Sequence, residues 1–189
     1  MSRDSIFYGS GEWQFTAGVN YPRDAHELMT EGYLRAGQRL MESISANPQG
    51  VDFIVYPMVY LHRHWFELRL KNIIDQGRQL LQEGAGYPQG HKLQNLWPLA
   101  RQILEKVWSE SDRPHEFDLI DRAVADFENF DSDSQSFRYP IDSKGNKSLQ
   151  GLSQINLQHL FQKMEGISEF LDAAASGISS YLDDLRSSY

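Results

Sequence analysis

The segment 56–72, YPMVYLHRHWFELRLKN, decides how this chain is read. It lies in the most apolar part of the sequence, yet it carries His62, Arg63, His64, Glu67, Arg69 and Lys71. On a helical wheel Val55, Val59, His62, Phe66, Arg69 and Ile73 share one face, so His62 and Arg69 interrupt an apolar stripe. A second face holds Tyr56, Tyr60, Arg63, Glu67, Leu70, Lys71 and Ile74. Arg63–Glu67 and Glu67–Lys71 are i, i+4 pairs of opposite sign, each contributing about 0.2–0.5 kcal/mol on an exposed helix. That face therefore reads as a partly solvated surface. A guanidinium on an apolar stripe needs acceptors, because an unpaired buried charge is costly. The acidic loop Asp131-Ser132-Asp133, or Asp142, is the expected supplier for Arg69. His62 reads as a satisfied core histidine. The functional alternative is a polar pocket shared by helices two and three and the 131–142 loop.

Working outward, the apolar spacing predicts helices over about 23–46, 51–83, 91–110, 114–130 and 153–185. Asn47-Pro48-Gln49-Gly50 and Gly84-Ala85-Gly86-Tyr87-Pro88 separate the first three. Pro57 marks either a kink or the true start of the second helix, and Pro98 falls early in the third. Residues 1–22 have no helical period and read as an irregular arm, held to the body by Trp13, Phe15 and Tyr21. The stretch DSDSQSFRYPIDSKGNKSL, from Asp131, reads as a long polar loop before the last helix. In it Phe137 and Tyr139 are expected to pack on the bundle while Arg138 turns toward Glu67. Nothing suggests alternating strands. The fold class is all-α: an up-and-down bundle of about five helices, forming one domain over 23–189.

Composition narrows the function. The 189 residues are 40% hydrophobic and 12% aromatic, which suits one folded domain, and no cysteine is present. A net charge of −8 argues against a protein held on nucleic acid by bulk electrostatics, leaving room only for a local basic site. No segment approaches the length of a membrane span, so no membrane is expected. The opening MSRDSIFYGSGEWQF has no apolar run behind a basic start, so no signal peptide is expected and the expected compartment is cytoplasmic.

Other signals are weak. His62 and His64 point nearly opposite ways on a helix and cannot share a metal, and the remaining histidines are dispersed, so no metal or cofactor is expected. Residues 131–142 fit a calcium loop poorly, with Ser136 where the sharp turn requires Gly and Asp142 in place of a bidentate Glu. GAGYPQGHK follows a helix and lacks phosphate-loop spacing.

Three pieces in order, YPMVYLHRHWFELRLKNII (56–74), GHKLQNLWPL (90–99) and DSQSFRYPIDSKGN (133–146), resemble bacterial helical bundles of the HEPN class, the higher eukaryotes and prokaryotes nucleotide-binding domains. The resemblance covers about residues 25–175. It implies a four- or five-helix bundle, a homodimer, and a setting of bacterial stress, toxin–antitoxin or phage defence. Many members are metal-independent ribonucleases whose signature is an Arg followed by a His after four to six residues. Here Arg23 and His26, Arg63 and His64, and Arg113 and His115 are all too close, and no pair fits. The expectation is a non-catalytic HEPN-like module that binds a nucleotide, RNA or an antitoxin-like protein partner. The alternatives are a ribonuclease with a divergent Arg/His site and a purely structural partner-binding bundle. The candidate polar cleft comprises His62, His64, Glu67, Arg69, Lys71, His91 and Arg138.

Overall fold

A computed structural model of the chain describes residues 7, 12–19, 25–108 and 115–188. Among them are five α-helices: α1 (Ala25–Ala46), α2 (Val51–Leu80), α3 (Leu93–Val107), α4 (His115–Asp131) and α5 (Leu157–Ser187). The described residues contain no strand, only an isolated antiparallel bridge between Ile141 and Lys147. The molecule is an all-α bundle, and none of its described helices is long and apolar enough to cross a membrane.

The helix ends follow local chemistry. α1 stops at the Asn47-Pro48 turn, and Gly50, at φ 86°, supplies the left-handed residue before α2. α2 runs through Pro57, so that proline is neither its start nor its stop. α5 starts at Leu157, later than the apolar pattern suggests, because the Asn156 side chain accepts the His159 amide and caps it. α3 likewise starts at Leu93 and leaves His91 in the preceding loop.

α2 is the central helix, packed against α1, α3 and α5. Trp65, Phe66, Leu70, Ile73 and Ile74 are fully buried, and they meet Leu93 and Ile103 of α3, Ile120 of α4 and Ile167 and Leu171 of α5. Contact pairs fix the helix directions. Glu27 meets Arg69, Tyr33 meets His64 and Gly37 meets His62, so α1 is antiparallel to α2. His62 meets Phe161, Arg69 meets Asp172 and Arg186 reaches Gln79, so α5 is parallel to α2. α3 is parallel to α2 as well, because His91 lies beside Glu67 while Ile103 lies beside Gly77. The connection between α2 and α3 is therefore not the tight hairpin of an up-and-down bundle. Residues 81–92 climb back along α2, clipped by Asp75 to the Gly86 amide and by Arg78 to the Gly86 carbonyl at 3.1 Å.

One expectation about a loose segment fails. Trp13 and Phe15 form one 3-10 turn closed by its own backbone bonds, and both rings are exposed, at 86% and 80%, so they do not pin the arm. Tyr21 lies outside the described residues. The 131–156 connection is ordered by polar turns. The Asp142 Oδ1 accepts the amides of Lys144 and Asn146, and Gly145 takes φ 85° between them.

Gly77 marks a close approach of α2 and α3. A Cβ there would lie 2.2 Å from Cγ2 of Ile103, an atom too near its own backbone to swing away. In an open helix Gly→Ala gains about 1 kcal/mol. Here Gly77→Ala is expected to lose roughly 1–3 kcal/mol through overpacking, read as a lower urea midpoint. A midpoint that rises would show that the two helices have room to part.

Candidate functional site

The second face of α2, expected to be partly solvated, is buried from Arg63 to Ile74, while Tyr56 near its start is exposed. Arg63 is 0% exposed and Glu67 1%, with Lys71 nearly as deep. The covering is the returning 81–92 segment on one side and the turn after α4 on the other. Each supplies acceptors, which is why the charges tolerate burial. Arg63 donates Nη1 to Glu67 Oε2 at 3.0 Å, Nη2 to the His91 carbonyl at 2.6 Å and Nε to the Asp131 carbonyl at 3.2 Å. The Asp131 carboxylate lies 3.5 Å from the same Nε. Glu67 Oε1 takes Lys71 Nζ at 2.7 Å and lies 2.9 Å from His91 Nδ1. Asp131 Oδ1 in turn accepts the Ser136 amide at 2.7 Å, which shapes the turn.

The electrostatics follow from this packing. Burial pushes the Glu67 carboxyl up, but hydrogen bonds from Lys71 and His91, and their charge, bring it net below the usual carboxylate range. At Asp131 burial prevails, and its carboxyl is raised despite the Ser136 amide and Arg63. One end of the network reaches solvent. The His91 side chain is 59% exposed, beside an open polar pocket of about 340 Å3 lined by Gln89, Lys92, Asn95 and Asp133.

An aromatic column continues from the network along α2. His64 stacks on Tyr60 with centroids 5.6 Å apart and meets the edge of Tyr33 at 4.4 Å. Burial holds the His64 imidazole below its ordinary pKa, partly offset by Glu67. Arg138 lies over Tyr60, 5.3 Å from its centroid, and donates Nε to the Ser134 carbonyl at 2.8 Å.

The seven candidate residues thus divide. Glu67, Lys71 and His91 converge, with His64 one helical turn from Glu67. Arg138 does not reach Glu67, whose oxygens are already taken by Arg63, Lys71 and His91. Among the described residues no carboxylate lies within ion-pair distance of Arg138. Phe137 is buried as expected, but Tyr139 stays 54% exposed, with Arg138 near its ring. Arg69 lies elsewhere. It is clamped bidentately by Glu27 of α1 at 2.8 and 2.9 Å, and Asp172 of α5 lies 2.7 Å from its Nε. The acidic loop serves Arg63 instead. His62 stands apart too, against Gly37 and Phe161, with neither ring nitrogen hydrogen-bonded. It is a core histidine, but not a satisfied one. A shared cleft of His62, Arg69 and Arg138 does not exist. Among the described residues no group of three or more His, Asp or Glu is placed to hold a metal ion.

Arg63 and Asp131 are the residues that sequence reading left out of the site. The Arg63–Glu67 spacing was visible, but the i, i+4 pattern is the same for an exposed and a buried pair.

Two outcomes are expected. Glu67→Ala leaves Arg63 and Lys71 buried without their carboxylate and costs roughly 3–5 kcal/mol in urea unfolding. A loss near the ~0–1 kcal/mol of a surface pair would refute the network's burial. Burial alone lowers the His62 pKa to about 4, so the folded protein favours the neutral ring. The unfolded chain takes up the proton first, near the ordinary 6.5. Stability from this group is complete above that value and is lost as pH falls toward about 4, up to roughly 3 kcal/mol. His62→Leu should flatten the stability–pH curve across this window. An unchanged curve would rule His62 out as its source.

Compared with models of known protein families, with curated proteins and with solved structures, the chain matches none.

Proposed function

We propose that the chain is a non-catalytic, HEPN-like binding module of bacterial stress or defence systems, and that its ligand is a nucleotide held at the α2 face between Arg138 and His91. One observation carries this reading: Arg63, Arg69 and Lys71 of α2 are already committed to carboxylates, while Arg138 is exposed over the Tyr60 ring and His91, held by Glu67 at Nδ1, is exposed at the other end. Arg63, Arg69 and Lys71 are neutralised by Glu67, Asp131, Glu27 and Asp172 and have no capacity left for a substrate. Arg138 and His91 flank a helical span from Tyr60 to Glu67, which is about 10 Å at 1.5 Å per residue. That span suits a phosphate at one end and a base or ribose at the other. Lys92 adds a second cation at the His91 end, though Asp133 lies 3.9 Å from it. A small ligand also fits the net charge of −8, which disfavours long nucleic acid.

The ribonuclease alternative keeps one specific support. His64 is held neutral by burial, as a general base must be, and lies one ring away from Arg138. His62 and Arg69 offer it nothing, since one is buried without partners and the other is clamped.

Calorimetric titration with AMP, ATP and guanosine nucleotides is expected to give saturable binding that Arg138→Ala weakens about tenfold, as for loss of a charge-assisted bond. Parallel incubation with transfer and messenger RNA is expected to leave both intact. No binding by any nucleotide would overturn the proposal. Metal-independent cleavage lost in His64→Ala or Arg138→Ala protein of unchanged stability would replace it with the enzyme.

A further inference from the structure

A separate cavity lies between α4, the first turns of α5 and the 149–156 segment that crosses between them. Its volume is about 470 Å3, within the roughly 300–1,000 Å3 usual for small-molecule sites and far above the voids left by imperfect packing. The floor is apolar: Leu119, Phe127 and Phe130 from α4, Leu160 and Met164 from α5. Arg122 on α4 and Lys163 on α5 both line it. Neither has a carboxylate within ion-pair distance among the described residues, although acidic groups outnumber basic ones, 26 to 18, in the chain. Among the described residues Arg122 bonds the carbonyl of Asp118, one turn back, and the carboxylate of Asp126 lines the same cavity without pairing to either cation.

An apolar slot with two unpaired cations at its sides is complementary to one kind of molecule. We propose that it binds a small amphipathic carboxylate, a fatty-acid-like ligand. The chain lies on Phe127, Phe130, Leu160 and Met164, and the head group is held between Arg122 and Lys163. The aromatic and aliphatic floor gives the transfer free energy. The cations set the polarity of entry and discriminate against a neutral alcohol of the same chain. The pocket lining includes Val59 and Phe137, next in sequence to Tyr60 and Arg138, but none of Tyr60, Arg138 and His91, so this inference rests on residues that the nucleotide reading does not use.

The test is calorimetric titration of the full chain with sodium decanoate, below its micelle concentration, and with decanol. Saturable one-site binding of decanoate is expected, with decanol at least about tenfold weaker. The double variant Arg122→Gln, Lys163→Gln, both at the surface, should bring decanoate down to the decanol level. Ala123→Phe, which projects a ring into the cavity from a small half-buried position, should abolish both. The circular dichroism melt checks that each variant folds. If Ala123→Phe does not fold, the surface double variant still decides. No saturable binding of decanoate, equal binding of decanol, or a double variant that binds decanoate as tightly as the parent would each overturn the proposal.

Discussion

The Arg63 guanidinium ties three parts of the chain together at one buried point. It lies fully buried on α2 and donates hydrogen bonds to Glu67, to the backbone of the segment entering α3 and to the backbone at the end of α4. Burial of a charge is tolerated only when its donors are satisfied. Covering this face of α2 therefore requires the 81–92 segment to run back along the helix and the 131–138 turn to close over it. The parallel arrangement of α2 and α3 follows, because a chain that has climbed back along α2 starts the next helix in the same direction.

Two kinds of buried polar group result. Arg63, Glu67, Lys71 and Asp131 form a network in which each member has partners, and the same is true of Arg69 between Glu27 and Asp172. His62 is the opposite case, enclosed by Gly37 and Phe161 with no partner for either nitrogen. A Cβ at position 37 would stand 2.9 Å from the imidazole, so the glycine and the histidine fit only as a pair. The networks fix which helices meet. His62 fills volume and carries a latent cost in acid.

The helices were legible because apolar residues at three- and four-residue spacing, and the stops at Asn47-Pro48 and Gly84–Gly86, are local signals. α2 could be named as central from its apolar run alone. Partner choice was not legible. Arg69 announced its need for acceptors, but Glu27 and Asp172 look like any surface acid until α1 and α5 are docked. The same holds for Arg63 and Glu67, whose spacing says that they can pair and not whether water sees them. Arg138 was placed near the right helix and on the wrong residue. Phe137 anchors the turn, but Tyr60 offers a ring face where Glu67 has no oxygen left. The ligand-facing residues were the least legible, since what distinguishes Arg138 is the lack of a carboxylate partner among the described residues, and what distinguishes His91 is an exposed ring held at one nitrogen by Glu67, both properties of the packed molecule.

The long sequence separations of the Arg63 contacts have a kinetic consequence. Its bonds to residues 91 and 131 close loops of 28 and 68 residues, so they cannot form until α3 and α4 have docked on α2. Long closures carry entropy that local helix pairing does not. Burial of the Arg63 charge therefore waits on long-range closure and not on local helix pairing. An interaction completed after the transition state changes the rate of unfolding far more than the rate of folding. The network's contribution to the bundle is then as much persistence as equilibrium stability: once the returning segment is clasped, the chain opens slowly.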